Sequence, residues 1–367
     1  MLDICTVFEN SMSNLKSEKG VSKIIYAVDL FCGIGALTCG LQKAGIQVVA
    51  GYDIDKSCRH GYEHNNSVKF YGRSVSDLSG DEISALYPAD SLKILVGCAP
   101  CQPFSTHTNK SREKQEEDER WNLLDAFGRL VEETCPDFVS MENVTNLRNQ
   151  GVFRTFVATL ERLGYFVNYQ IVDCPDYGIP QKRRRLILLA SKLAKPCLIE
   201  PTHIPHRTTY DEIGNLPKIK AGEVCTSDPL HRAPTMNDTM LARIKQSVPN
   251  GTWLDWEEEL RTPCHRTESG QSYKSVYGRM SWDKPSPTIT TQFYNFGTGR
   301  FGHPEQDRAI SLREGALLQT FPCDYQFVAP DEPIHFTKIG RYIGNAVPVR
   351  LGEVIGLSII EHFKRHL

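Results

Sequence analysis

Between residues 24 and 191, short apolar runs alternate with amphipathic stretches, and this alternation restricts the fold more than any other feature of the chain. The runs "IIYAVDLF" (24–31), "IQVVAGYD" (46–53), "LKILVG" (92–97), "DFVSME" (137–142) and "RRLILLAS" (184–191) are almost continuously apolar, as strands covered on both faces must be. Between them "ALTCGLQKAG", "WNLLDAFGRLVEETC" and "VFRTFVATLERLG" repeat apolar residues at helical spacing. Repeated strand–helix units predict an α/β fold with a mostly parallel sheet and helices on both faces.

The texture changes near residue 196. Prolines and turn residues crowd "EPTHIPHRTTY", "SVPNGTW" and "DKPSPTITT", and long helical periodicity is lost until "SLREGALLQTF" (311–321) and "VPVRLGEVIGLSIIEHFKRHL" (347–367). Four segments are expected: a leader over 1–23, a large domain over 24–195, a smaller turn-rich domain of short strands and loops over 196–335, and a C-terminal segment over 336–367 returning to the large domain. The charged stretch "NKSREKQEEDER" (109–120) reads as a mobile loop or an exposed helix start. A formal net charge of −2 over 367 residues sets up no global basic field, so any nucleic-acid surface must be local. No apolar run reaches 18 residues, and the N-terminus lacks the apolar core of a signal peptide. Twelve cysteines without that signal suggest reduced thiols in a cytoplasm. Only Cys98 and Cys101 form a C-x-x-C, and no second pair completes a zinc site; "HIPH" (203–206) reads as loop.

Four segments carry chemistry. In "DLFCGIGALTCGL" (29–41) a strand runs into a glycine turn and then a helix, where backbone N–H groups and the helix N-terminus favour an anion. The full dinucleotide spacing is missing. Asp53 ends the next strand, where an acid commonly holds ribose hydroxyls. Together these suggest an adenosine cofactor bearing a carboxylate, although a plain packing turn has the same appearance. In "GCAPCQPFS" (97–105) prolines flank Cys101 and stiffen the chain at a strand end. "MENV" (141–144) puts Glu142 at the mouth of an apolar strand, as acid or as helix cap. "QKRRRL" (181–186) is a basic run leading into a strand, or a solvated charge cluster. A cysteine, an acid, an arginine and an adenosine cofactor serve one chemistry together. A thiolate adding to carbon 6 of cytosine makes carbon 5 nucleophilic, an acid relieves charge at ring nitrogen 3, and a cation does so at the 2-oxygen.

The chain resembles the bacterial DNA (cytosine-5) methyltransferases. "DLFCGIGAL", "GCAPCQPFS", "MENV", "QKRRRL", "LREGALLQTFP" and "IGNAVPVRLG" occur in that family's order from residue 29 to residue 352. The resemblance implies a Rossmann-like, S-adenosylmethionine-dependent methyltransferase fold with a target-recognition domain whose variable part is 196–300. It makes Cys101 the nucleophile and Cys98 a packed strand residue. Pro100 and Gln102 shape the turn presenting the thiol. Glu142 contacts ring nitrogen 3 and the exocyclic amine, Asn143 orders the neighbouring loop, Arg185 reaches the 2-oxygen, and Arg183 supports a phosphate or the loop carrying Cys101. Phe31 and Ile54 sandwich the cofactor adenine, Gly33, Gly35 and Leu37 line its methionine part, and Asp53 its ribose. Ser74, Pro100, Asn345 and Ala346 complete the cofactor site, with Asn345 bringing the C-terminal helix back to it. Gln102, Ser105, Thr288 and Thr290 face DNA. Arg232, Arg243, Asn250, Arg266 and Tyr273 are able to reach bases. The target cytosine is flipped out of the duplex. The implied partners are double-stranded DNA and, in a restriction-modification system, a separate endonuclease. A monomer without metal, in the bacterial cytoplasm at the nucleoid, completes the expectation.

Two positions depart from the family pattern. Ser74 stands where many relatives carry an acid for the adenine amine, with Asp77 three residues on. "THTNK" replaces the glycine that often follows "PCQPFS". Three rival readings remain: a tRNA-directed cytosine-5 methyltransferase of the same family, whose "CFT" is missing here; a non-catalytic DNA-binding relative, which intact Cys101, Glu142 and Arg185 oppose; and a thioredoxin-like oxidoreductase, whose motif should open a helix.

Overall fold

The computed structural model describes residues 15–16, 22–100, 113–267, 270 and 274–367. The chain divides into two compact units, one holding residues up to 172 with 184–200 and 349–367, the other holding 173–183 and 201–348.

The first unit is built on a seven-stranded sheet: β1 (Ile25–Leu30), β2 (Gln47–Tyr52), β3 (Lys69–Tyr71), β4 (Leu92–Gly97), β5 (Phe138–Asn143), β6 (Phe166–Asp173) and β7 (Arg184–Ser191), in the order β3-β2-β1-β4-β5-β7-β6. β3, β2, β1, β4 and β5 run parallel, and β7 runs antiparallel to β5. This is the mixed, mostly parallel sheet of the S-adenosylmethionine-dependent methyltransferase fold. The five apolar runs all form strands. β3 and β6 are additions: β3 spans three residues, and β6, at the sheet edge, exposes Phe166 and Tyr169 instead of showing a buried apolar run.

Helices cover both faces. α1 (Ala36–Ala44), α2 (Arg59–Asn66) and α3 (Gly80–Ser84) come first, followed by α4 (Glu113–Thr134) and α5 (Gly151–Arg162). From α4 and α5, Phe127, Leu130, Phe153 and Phe156 join Leu30, Leu95, Val139 and Met141 in one core. α4 begins at Glu113, so most of the charged stretch after residue 112 is helix. The opposite face takes the last helix of the chain, Val349–His366, whose Phe363 and His362 rings lie against Phe138. That helix packs on α1 at very close range: a Cβ on Gly40 would sit 2.3 Å from the Val349 carbonyl oxygen.

The second unit contains α6 (Thr209–Ile213), α7 (Asp238–Gln246), α8 (Leu312–Leu318) and α9 (Phe336–Asn345), so the terminal helix is α10. The short strands expected over 196–335 are absent among the described residues; isolated bridges such as Val224↔Arg232 and Pro249↔Arg279 stand in their place. Buried arginines supply the donors that strands would otherwise provide. Arg279, 4% exposed, donates to the carbonyls of Ser247, Ile244, His303 and Gln306 and to Asp307. Trp253, Trp256, Phe296 and Ile244 form the apolar centre of this unit.

The segment that rejoins the first unit is shorter than 336–367. α9 belongs to the second unit because its glycines lie on that unit's backbone. A Cβ on Gly344 would meet Thr290 and Thr291 at 2.4 Å, and one on Gly340 would meet Tyr294. By length and composition Phe336–His366 passes as a membrane span, but 78% of its most apolar window is buried within the fold. Its apolar faces are core.

Candidate active site

Parallel register brings the ends of four strands to one edge of the sheet, where open α/β sheets bind ligands. Leu30 pairs with both Tyr52 and Gly97, and Gly97 pairs with Met141. Phe31, Asp53, Cys98 and Glu142 each come next along their strands, so they share one level. β7 arrives from the opposite direction with Ile187 opposite Glu142. Arg185, two residues earlier on the same face, is therefore a diagonal neighbour of the carboxylate. Its Nε lies 2.9 Å from Glu142 Oε1, an ion pair whose N–H is not aligned as a hydrogen bond. Cys98 Sγ donates to the other oxygen, Oε2, at 2.8 Å. Glu142 is 3% exposed. Asn143, also buried, donates from Nδ2 to the Ala99 carbonyl at 2.9 Å and ties β5 to the chain entering Pro100.

Cys101, Gln102 and Ser105 lie outside the described residues, and Pro100 before them is exposed. Cys98 corrects an expectation. It is half-buried one residue past β4, on the acid, where a packed strand residue was anticipated. The apolar run ending at Gly97 placed Cys98 at a strand end; its position beside Glu142 follows from the pairing of β4 with β5.

The glycine turn is held by Asp53. Its Oδ2 accepts from the Gly33 N–H and its Oδ1 from the Asp55 N–H, each at 2.8 Å. Phe31, Gly33 and Gly35 have φ of 59°, 50° and 93°, a left-handed turn that glycine adopts without cost. Among the described residues a Cβ on Gly33 would meet nothing within 4 Å, so space faces the turn there. Ile54, beside Asp53, is 74% exposed, Phe31 is half-buried, and Leu37 is buried. Ser74 is half-buried and caps the short helical turn Val75–Asp77 by accepting from the Ser76 N–H; Asp77 is exposed. Asp29 was not singled out from the sequence. It is fully buried at the end of β1, accepts from the Thr38 hydroxyl at 2.7 Å, and burial pushes its carboxyl up to about 7. An acid inside the apolar run "IIYAVDLF" was the available signal.

In the second unit several motifs meet in one buried polar network. Gln181 donates to Leu318 O and Gln319 Oε1 and accepts from the Ile289 N–H. Gln319 donates to the carbonyls of Ile343 and Ala346. Arg183 donates to the carbonyls of Ile289 and Ala346 and is 4% exposed. Its guanidinium is thus anchored on the backbone of the second unit. Thr288 is half-buried and donates to Lys182 O, and Thr290 is exposed. Asn345 ends α9 and is exposed, with Ala346 as the helix cap. Three residues offered as base readers make bonds within the unit. Arg243 donates to Leu260 O and lies over the Trp256 and Tyr277 rings. Arg232 donates to Ile334 O. Arg266, though exposed, donates to the carbonyls of Glu258 and Glu259. Asn250 is exposed, and Tyr273 lies outside the described residues. His206 pairs with Asp176, and among the described residues no cluster of three metal-ligating side chains occurs.

The model of the C-5 cytosine-specific DNA methylase family matches residues 25–361. The chain belongs to that family. It methylates carbon 5 of cytosine in DNA. The chain is 55% identical over 337 residues to the type II methylase M.HgiDII of Herpetosiphon aurantiacus, with 90% of this chain and 94% of the relative covered. It is 32% identical to the type II methyltransferase M1.HphI of Haemophilus parahaemolyticus, covering 91% and 86%. Among solved structures, an E. coli prophage-encoded chain described as a DNA modification methyltransferase superposes with a TM-score of 0.68 at 22% identity, over 92% of this chain and 99% of that one, a likeness of fold. The methyl donor of this family and fold is S-adenosylmethionine. The turn fits such a group: space beside Gly33, an exposed Ile54, and an Asp53 carboxylate fixed by two backbone N–H groups.

Proposed function

We propose that this DNA (cytosine-5) methyltransferase works through a covalent bond between Cys101 and carbon 6 of a flipped-out cytosine in a specific duplex sequence. The observation that carries the reading is the Glu142–Arg185 pair at the sheet edge, joined by Asn143 to the backbone at Ala99, two residues before Cys101. A buried carboxylate beside a guanidinium suits a ring that gains negative charge as the thiolate adds. Glu142 holds a proton at ring nitrogen 3 and accepts from the exocyclic amine, and Arg185 faces the 2-oxygen. Carbon 5 thereby becomes nucleophilic. Bound S-adenosylmethionine supplies an electrophilic methyl group. Loss of the carbon-5 proton and departure of the thiolate restore the aromatic ring.

Phe31 and Ile54 hold the adenine, Gly33, Gly35 and Leu37 the methionine part, and Asp53 the ribose, with Ser74, Pro100, Asn345 and Ala346 at the margins. Residues 196–300 read the target, Gln102, Ser105, Thr288 and Thr290 face the DNA, and the large domain supplies chemistry to whichever cytosine is extruded. Type II relatives support a place in a restriction-modification system beside a separate endonuclease. The enzyme so read is a metal-free monomer in the bacterial cytoplasm, on nucleoid DNA. Duplex DNA containing 5-fluorocytosine tests the reading, because fluorine blocks the last proton loss. A denaturation-resistant adduct should form only with S-adenosylmethionine, and peptide mass spectrometry should place it on Cys101. An adduct on another residue, or none with a folded enzyme that methylates normal DNA, would refute the covalent step.

A further inference from the structure

Glu142 is nearly sealed from water, so protein groups must set its orientation and its hold on a proton. Among the described residues the titratable and charged groups facing it are Cys98, at the end of β4, and Arg185 of β7. The arginine attracts Oε1 without an aligned N–H. The thiol makes the directed bond, to Oε2. We propose that Cys98 is a positioning residue whose S–H fixes the carboxylate of Glu142 and tunes its readiness to carry a proton. This rests on Glu142 being the acid of the proposed reaction.

The chemistry of sulfur gives the choice of residue a reason. An S–H is a weaker donor than a hydroxyl or an amide N–H. A strong donor on Oε2 would favour the ionised carboxylate and oppose the protonated form that the base needs. With no donor, Oε2 would be buried unsatisfied and the carboxylate free to turn. A thiol steadies the group at low cost to proton uptake. Cys98 thus acts through Glu142 and needs no contact with substrate.

The test is single-turnover methylation of mixed-sequence plasmid DNA with enzyme in excess, across pH, for Cys98→Ala, Cys98→Ser and Glu142→Gln, with S-adenosylmethionine affinity by calorimetry. Cys98→Ala should slow methyl transfer on the order of three- to tenfold with cofactor affinity unchanged. The limb on which rate falls with rising pH should move to higher pH, because the carboxylate has lost a donor. Cys98→Ser should keep a rate close to that of the parent enzyme, with the same limb moved to lower pH. Opposite shifts are the signature, since loosened packing would move both variants the same way. Should Cys98→Ala fold poorly, Cys98→Val fills the volume without a donor and should behave as described for alanine. Donor-free variants matching the parent in rate and profile, or serine and alanine shifting together, would overturn the proposal. Glu142→Gln separates the two readings. If it retains the parent rate, the acid assignment fails and takes this inference with it. If it stops transfer while Cys98→Ala matches the parent, only the role of Cys98 falls.

Discussion

Replacing Glu314 by glutamine should unfold the second unit at markedly lower temperature. Glu314 is the third residue of α8, and its side chain closes a capping box with Ser311. Its two oxygens accept from Arg308 Nη1 and Nη2 at 2.7 Å each, and Oε2 also accepts from the Ser311 N–H at 2.6 Å. Both partners of the ion pair are fully buried. Burial alone would raise this carboxyl; the Arg308 charge and bonds outweigh it and hold the group at about 2, against an ordinary 4.5. A displacement of that size corresponds to about 3 kcal/mol, within the range for breaking a buried pair and stranding its partner. For a unit of this size that lowers Tm by roughly 6–12 °C. The sign of the pH dependence follows from a depressed carboxyl: its contribution is complete above pH 4.5 and disappears as pH falls towards 2. Calorimetric unfolding of parent and Glu314→Gln should therefore differ by a constant amount from pH 8 to about pH 5 and converge below that. A gap under about 1 kcal/mol at pH 7, or one that stays the same at pH 3, would show that the pair does not stabilise the unit as argued.

Cys101→Ser should abolish methyl transfer, because a hydroxyl is a far weaker nucleophile at neutral pH; a serine variant that still methylates plasmid DNA by bisulfite sequencing would remove the nucleophile assignment. Asp53→Ala leaves the Gly33 and Asp55 N–H groups without their acceptor, so calorimetry should find S-adenosylmethionine bound at least about tenfold more weakly, and unchanged affinity would exclude Asp53 from that site. Exchanging residues 196–300 for those of a relative should transfer the relative's target sequence; an active hybrid that still marks the parent's sites would place recognition elsewhere.

The sheet was legible because strands buried on both faces leave an apolar trace, and each of the five traces became a strand. β6 left none, since an edge strand with exposed Phe166 and Tyr169 carries a mixed pattern. The second unit was legible only as a change of texture. Its order depends on long-range bonds such as those of Arg279 to four separate carbonyls, and no local period announces them. α9 was missed for a related reason: its glycines break a propensity reading, yet they are what let it lie on Thr290 and Thr291. At the site, the ends of apolar runs located Asp53 and Glu142. The neighbour relation between β4 and β5 was needed before Cys98 could be placed beside the acid.

Motifs matched in order therefore mix two kinds of residue. In "MENV" and "GCAPC" the described side chains stand at the ends of neighbouring strands. In "QKRRRL" and "LREGALLQTFP" the motif divides within itself. Arg185 faces Glu142 at the sheet edge, whereas Arg183 and Gln181, two and four residues earlier, bond to the backbone at Ile289, Leu318 and Ala346. Gln319 does the same within the second unit. A turn-rich unit with no strand between 196 and 335 among the described residues has many carbonyls that no ladder satisfies, and a long polar side chain is the available remedy. Arginine and glutamate occur both at the strand ends and in the buried network of the second unit, so residue type in a motif does not by itself assign chemistry. Burial and the identity of the partner atom distinguish the two settings: the Arg183 guanidinium lies on carbonyl oxygens of the second unit, and that of Arg185 on a carboxylate at the ends of strands.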